Sequence, residues 1–483
     1  MRENVVIIMA DQLRYDVLGR GFTPNIDSIR EGGVDFTRAY CACPLCVPAR
    51  GAFFTGKWPN VNGSLINPWL ASDSYYGSVH EGIDNLYRMM EKDWCSIHSG
   101  KQHLFTEGGK LEDVDKDTIW ASTEKSYKEY LAENGVRAPG GPRFKTPVPE
   151  MKGGAYTRVT RYSNANTGCY PEDEKFYFDR YFAQKAVEAI RKRDRSRPLL
   201  LNAMFLAPHP PLEIPQPWYG KVAVDDFVMP ENVGVFYPHQ SPLQMYNLTG
   251  VVGARYRREE WMESWRVYLG LVSMLDDCVG MVLDTLREEG LYDDSIIIFT
   301  SDHGEMLGSH ALFQKMCMYE EAAHVPLFIS LPGRQARRID DVVSHVDVLP
   351  TLCELLNLSH KGTFDGRSLL GIMEGRRDGT GVPAYIQFDG NGARSNFQRC
   401  VVMDRYKLIV DYFKDETFFE LYDVVADPQE TENLLFSGGH DAIALELVRL
   451  LRRHMEETSD MVAPPALAPE EFRKAYGDIP TRR

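Results

Sequence analysis

Apolar residues along this chain fall into two kinds of run. The first kind is short and continuous. Residues 5–10 (Val-Val-Ile-Ile-Met-Ala), 199–206 and 295–300 (Ser-Ile-Ile-Ile-Phe-Thr) carry little polar alternation, the pattern of strands buried on both faces. The second kind recurs every three to four positions. Within residues 265–289, Tyr268, Leu271, Val272, Leu275, Val279, Val282, Leu283 and Leu286 form one apolar stripe of a helix that stops at Gly290. A similar helix over 176–193 precedes the 199–206 strand, and 325–330 and 342–351 add a further strand and helix. Strands alternating with helices predict an α/β fold, a large mixed, mostly parallel sheet flanked by helices. From about residue 380 the pattern changes to short strands separated by turns (400–403, 406–410, 418–422), followed by a helix within 442–455. This predicts a smaller C-terminal antiparallel-sheet subdomain over 376–483, after a main domain over 1–375. Residues 106–172 are rich in Gly, Lys and Glu with weak periodicity, and read as a long insertion beside the ligand-binding end of the sheet. Residues 463–483 are Pro-rich and polar, and read as a tail that packs on another subunit, in a homo-oligomer, or stays mobile.

Composition narrows the classes. The 483 residues are 43% hydrophobic and 25% charged, ordinary for a globular enzyme. A net charge of −15 disfavours general binding to nucleic acid or to an anionic membrane, both of which need a basic surface. No stretch approaches the roughly 20 apolar residues of a membrane span. The six apolar residues before Asp11 are too few for a signal-peptide core, and nine scattered cysteines resemble cytosolic thiols more than a disulfide framework. The expectation is a cytoplasmic protein.

Candidate chemistry sits at the ends of the continuous runs. The first ends in Asp11-Gln12 and the third in Ser301-Asp302-His303-Gly304-Glu305, so each strand delivers two ligand-bearing side chains at its carboxyl end, where open α/β sheets bind ligands. One such Asp alone is more commonly a turn or helix cap. Two pairs together make a cation site. Between them lies Cys46-Val47-Pro48-Ala49-Arg50, closed by Thr55-Gly56. An arginine four residues after the cysteine shares its helix face and can reach an anion held at the helix start. An isolated cysteine is more often a buried thiol. Cys41, Cys43 and Cys46 also form a C-x-C-x-x-C cluster, but zinc sites usually need four ligands and no second C-x-x-C follows.

The Cys46 frame resembles the Cys-x-Pro-x-Arg-x-x-x-x-Thr-Gly signature of the type I sulfatases of the alkaline phosphatase superfamily. The resemblance implies that Cys46 is oxidised by a formylglycine-generating maturation enzyme to formylglycine (3-oxoalanine), the nucleophile. It implies that Asp11, Gln12, Asp302 and His303 hold one divalent cation. Many relatives carry Asp in place of Gln12 and Asn in place of His303. The family generally uses Ca2+, while the imidazole keeps Mn2+ and Mg2+ as alternatives. The same Gln and His choice occurs in relatives that hydrolyse phosphonate monoesters. Gly100-Lys101-Gln102-His103 resembles the segment whose lysine binds sulfate and whose histidine contacts the hydrated aldehyde, and two residues apart on a strand would face one side. His209, within Pro208-His209-Pro210-Pro211, matches the histidine at the leaving oxygen and is the candidate general acid, with Lys315 as the second sulfate-binding lysine. Arg50, Lys101 and Lys315 would stabilise charge on the sulfate oxygens. Residues 344–351 also look like sulfatases, as architecture.

Asn67 and Trp69 follow the nucleophile helix and are candidates for lining the pocket. Arg158, Arg161 and Tyr162 are candidates for meeting a carboxylated sugar, although solvated surface is the commoner role for such residues. The implied activity is hydrolysis of a sulfate monoester, on a sulfated sugar or a small alkyl or aryl sulfate. The alternative is a phosphonate monoester or phosphodiester hydrolase of the same superfamily. A third is a silent binding protein with Cys46 unmodified.

Overall fold

Residues 3–68, 75–152, 156–333, 335–376, 379–391 and 394–477 are described by a computed structural model. Its centre is a nine-stranded sheet of β1 (Asn4–Asp11), β2 (Val34–Tyr40), β3 (Cys95–Gly100), β4 (Ile119–Ser122), β5 (Leu199–Pro208), β6 (Ser295–Ser301), β7 (His324–Val325), β8 (Leu327–Ser330) and β9 (Arg337–Ser344). The three continuous apolar runs are its middle. β1 lies between β5 and β6, parallel to both, with Val5 opposite Leu200 and Ile296. β3 and then β4 extend the sheet in parallel beyond β5. On the other side β8 runs antiparallel to β6 and to β2, and β9 pairs in parallel with the far edge of β2.

Side-chain alternation explains why these strands carry no polar face. In β1, Val6, Ile8 and Ala10 join one core cluster and Val5, Ile7 and Met9 join a second. Each face of the sheet is therefore covered, as a parallel sheet requires. The covering helices include α1 (Cys46–Thr55), α2 (Phe178–Lys192), α3 (Arg258–Glu288) and α4 (Val348–Leu356). Helix α3 begins seven residues earlier than the apolar stripe suggests, because its first turn is polar and the Glu260 carboxylate accepts a hydrogen bond from the Arg257 backbone N–H at 2.9 Å. It ends, as expected, before Gly290, whose φ of 67° needs a residue without a Cβ.

The structure departs from the sequence reading in five places. The strand expected over 325–330 is broken at Pro326, which has no N–H to give the ladder, so β7 and β8 pair separately with β2. The 106–172 stretch is not all insertion, since β4 belongs to the main sheet. Its remainder includes a hairpin, Lys145–Lys152 with Tyr156–Ser163, and a strand Thr167–Tyr170 that pairs with Leu212–Pro215. The C-terminal sheet adds a strand before the three segments named from the sequence: β10 (Ala384–Phe388), β11 (Phe397–Met403), β12 (Tyr406–Phe413) and β13 (Glu416–Asp423) form an antiparallel meander. Helix α5 (Asp441–Glu457) covers it through Leu447, Val448 and Leu451. The tail folds back on the same sheet, because α6 (Pro469–Tyr476) buries Phe472 against Phe418, Phe419 and Phe436. Among the described residues, no helix is long and apolar enough to cross a membrane.

The last departure concerns Lys101 and His103. They are not on a strand; β3 stops at Gly100, where φ is 118° and an added Cβ would lie 1.8 Å from the Met204 carbonyl oxygen. The chain turns there, and His103 adopts a φ of 47°. Gly100→Ala is therefore expected to cost at least ~2 kcal/mol, from the disfavoured backbone and the overlap. A thermal-unfolding midpoint equal to that of the parent protein would contradict this.

Candidate active site

The parallel strands bring their carboxyl ends to one crevice. Asp11 and Gln12 close β1, Asp302 and His303 follow β6, Lys101 and His103 follow β3, and His209 follows β5. Cys46 enters as the first residue of α1, after β2. Its Sγ lies 3.2 Å from His303 Nε2 and 3.9 Å from Asp11 Oδ1. Ligand atoms of Asp11, Cys46, Asp302 and His303 all fall within 4.8 Å of one another, and all four residues are buried. Cys41 and Cys43 take no part in this group and pack into opposite core clusters, so the thiol-cluster zinc reading has no geometric basis.

Electrostatics separates the three thiols. Burial pushes Cys41 and Cys43 up, whereas at Cys46 the opposing effects of burial and Asp11 are outweighed by Lys101, Lys315 and His303, which pull it below the usual thiol range. Position 46 is thus built to hold an anion, with the helix start adding favourable dipoles. Burial would raise the Asp11 carboxyl, but Lys101, His209, Arg50 and His303 hold it well below its ordinary value. At His303 burial is outweighed by Asp302 and Cys46, so its value rises. The His303 Nδ1 faces the Gly304 carbonyl at 3.0 Å, which turns Nε2 toward the carboxylates. Two carboxylates, an imidazole nitrogen and the side chain of residue 46 converging on one point form a donor set suited to a divalent cation.

Arg50 is placed differently from the expectation. Its guanidinium is fully buried and occupied. Nε donates to Asp302 Oδ2 at 3.1 Å, Nη2 to Asp11 Oδ2 at 3.3 Å and Nη1 to the Lys101 carbonyl at 3.0 Å, and Nη2 also lies 3.0 Å from Asp302 Oδ2 in an ion pair. It therefore orients the carboxylates from behind. Lys101 Nζ also donates to Asp11 Oδ2. Gln12, at φ 64°, accepts from Lys315 Nζ at 2.5 Å through Oε1 and donates through Nε2 to Glu305. His209 Nε2 lies 3.3 Å from Lys315 Nζ, while its Nδ1 faces the Pro210 carbonyl at 2.5 Å. Burial and nearby cations depress both His103 and His209 well below the ordinary histidine value, and the buried His103 Nδ1 has no hydrogen-bond partner.

These groups floor a cavity of about 450 Å3 lined by Cys46, Asn67, Lys101, His103, His209 and Lys315. A roomier cavity, about 800 Å3, lies elsewhere and touches none of them. The Asn67 Oδ1 accepts from the Val47 N–H at 3.2 Å and so caps α1, while Nδ2 donates to Asn391 Oδ1 at 3.4 Å. Trp69 lies outside the described residues. Residues 344–351 act as architecture: His345 Nε2 meets Thr300 Oγ1 at 2.9 Å beneath the site.

Sequence reasoning did not single out three contributors. Glu305 fixes Gln12 and accepts from the Leu307 and Gln314 N–H groups at 3.1 and 2.5 Å. It stands in the same Asp-His-Gly-Glu run as Asp302 and His303, which was its only signal. Asn391 arrives from the C-terminal subdomain with no motif around it. Asp179, on α2, accepts from the Leu206 and Ala207 N–H groups at 2.7 and 3.1 Å and so holds the turn carrying His209. Its Oδ2 has no partner, and burial raises its carboxyl to about 6.

The Asp179 shift gives a signed pH dependence. The native state binds this proton more tightly than the unfolded chain, so its stabilising contribution is complete below about 4 and is lost as pH rises through about 6. Asp179→Asn keeps the Oδ1 acceptor and removes the buried charge. It is expected to be more stable than the parent at pH 8, by on the order of 3 kcal/mol, with the advantage gone at pH 4. Thermal midpoints of the two proteins that differ equally at both pH values would contradict this.

Comparison with known proteins follows the same residues. Residues 3–358 match the Sulfatase family model, and residues 308–457 match the model for the N-sulphoglucosamine sulphohydrolase C-terminal region. The arylsulfatase of Clostridium perfringens is 25% identical, over 94% of this chain and 95% of its own length. The phosphonate monoester hydrolase of Agrobacterium radiobacter superposes with a TM-score of 0.74 at 22% identity, over 95% of this chain and 96% of that one. A protein solved in complex with its substrate D-glucosamine-2-N,6-O-disulfate superposes with a TM-score of 0.72 at 18% identity, over 97% of this chain and all (100%) of that one. At those identities the superpositions speak for the fold. The family match spans the sheet and every strand end that feeds the crevice, and the chain belongs to the sulfatase family of the alkaline phosphatase superfamily.

Proposed function

We propose that this sulfatase hydrolyses a sulfate monoester carried by a sulfated sugar or a small alkyl or aryl alcohol, with formylglycine made from Cys46 as nucleophile and one divalent cation beside it. The observation that carries this reading is the seat of Cys46: the first residue of a helix, 3.2 Å from His303 Nε2, on the floor of a cavity whose lining includes Lys101, Lys315, His103 and His209. Asp11, Asp302 and His303, with Gln12, would hold the cation, Ca2+ by family habit and Mn2+ or Mg2+ as alternatives given the imidazole. When present, the cation supplies positive charge that makes a hydroxyl at position 46 acidic near neutral pH. A formylglycine at position 46, once hydrated, would supply two hydroxyls, one as the oxygen nucleophile toward sulfur and one whose deprotonation would drive release of sulfate.

The chain's own residues divide the remaining work. Lys101 and Lys315 face the cavity and meet the charge that grows on the sulfate oxygens. Arg50 is committed to Asp11, Asp302 and the Lys101 carbonyl and holds the two carboxylates in place. His103 is neutral near pH 7 with an unpartnered buried Nδ1, as a proton acceptor should be. His209 Nε2 accepts from Lys315, so the proton destined for the leaving oxygen resides on the lysine and reaches the substrate directly or through His209.

The second reading, a phosphonate monoester or phosphodiester hydrolase, is favoured by Gln12 and His303 among the ligands. It is tested alongside the first. On protein coexpressed with a formylglycine-generating enzyme, hydrolysis of an aryl sulfate is expected to exceed that of an aryl phosphonate monoester and a phosphodiester, and to vanish in Cys46→Ala. Dominant phosphonate or diester turnover would replace the reading with its alternative.

Two variants test the assigned roles. Lys315→Ala should lower kcat by roughly 10²–10³-fold, the usual cost of one oxyanion donor. Glu305→Gln places an amide against the Gln12 amide and should weaken divalent-cation affinity roughly 10–100-fold, read by chelator competition. Unchanged affinity would remove Glu305 from the account.

A further inference from the structure

The catalytic cavity does not end at His209. It adjoins a second cavity of about 660 Å3, and the two share Lys145, Arg161, Ser163, Pro210 and Pro211 as common walls. Clefts that hold ligands of drug size measure ~300–1,000 Å3. The first chamber, about 450 Å3, accommodates the scissile ester and its ring, and the second leaves room for a further sugar unit.

The shared wall is cationic. In the hairpin of Lys145–Lys152 with Tyr156–Ser163, Lys145 stands opposite Ser163 and Pro147 opposite Arg161. Lys145 and Arg161 therefore share one face at a diagonal spacing of roughly 7–8 Å. The other face carries Val148 and Tyr162 into the core. Lys128, also on the cavity wall, is neutralised by Glu124 at 2.8 Å, whereas neither Lys145 nor Arg161 is paired with a carboxylate whose side chain is described. Two exposed like charges on one face, with no described carboxylate beside them, present a cationic wall to an anionic ligand.

We infer that Lys145 and Arg161 form a second anion subsite, and that the substrate is a saccharide of at least two units bearing another sulfate or carboxylate beyond the ester that is cleaved. This rests on the sulfatase reading for the identity of the first anion. It gives the hairpin a role in specificity that is separate from bond cleavage.

The test is equilibrium binding to Cys46→Ala protein, which cannot turn over. Three disaccharides are compared: one with two sulfates, one with a sulfate and a carboxylate, and one with a single sulfate. The dianionic ligands are expected to bind at least about tenfold tighter than the monosulfated one, a margin of ~1.4 kcal/mol. The exposed double substitution Lys145→Ala with Arg161→Ala should erase that margin and leave monosulfate binding within about twofold. A double variant that weakens all three ligands equally, or none, overturns the inference. In the Cys46→Ala protein that keeps Lys145 and Arg161, a margin shown by the disulfate alone would assign the subsite to sulfate, and an equal margin for both dianionic ligands would assign it to either anion. Selective binding combined with an absence of Cys46-dependent sulfate ester turnover would leave the subsite standing and remove the proposed function instead.

Discussion

Asp11 and Asp302 are two carboxylates buried side by side at the ends of adjacent strands, and the site depends on the cations packed against them. Like charges this close repel one another in a dry interior. Arg50 offsets this by standing behind both, with Lys101 adding a second cation on Asp11, whose carboxyl is held well below its ordinary value. The arrangement ties four elements together: β1, β6, the nucleophile helix and the loop after β3. Removing one partner of such a buried pair typically costs 3–5 kcal/mol. The charges are therefore a structural commitment as well as a catalytic one.

The sheet makes that commitment possible. Parallel strands buried on both faces cannot place polar side chains along their length, so polar groups gather where the strands end. β1, β5, β6 and β3 each deliver one or two functional residues within a few positions of their last sheet residue. The Asp179 carboxylate fixes the turn carrying His209, and Gly100 lets the chain turn away with Lys101. Precision here comes from the ends of rigid elements, with backbone groups held by buried acceptors.

The legibility of the fold follows from the same rule. Continuous apolar runs read plainly as central strands, and Asp11, Asp302 and His303 were visible as their terminal residues. The Cys46 frame was legible because its spacing is local to one helix. What stayed hidden depends on distant contacts. The engagement of Arg50 with two carboxylates cannot be read from its position in the helix, nor the hold of Glu305 on Gln12 from the motif around it. Asn391 comes from a different sheet and lacks any local signal. Pro326 shows the converse case, where a single residue's backbone chemistry overrides an apolar pattern that otherwise reads as a strand, and Gly100 likewise ends β3 before Lys101 and His103.

The account stands on position 46 as the nucleophile once it is converted. The most direct measurement plots aryl sulfate turnover against the converted fraction of Cys46, across preparations matured to different extents. Conversion is read by peptide mass spectrometry as a loss of about 18 Da at the residue that becomes the nucleophile. The account predicts a straight line through the origin. Undiminished turnover in protein that retains the thiol would contradict it.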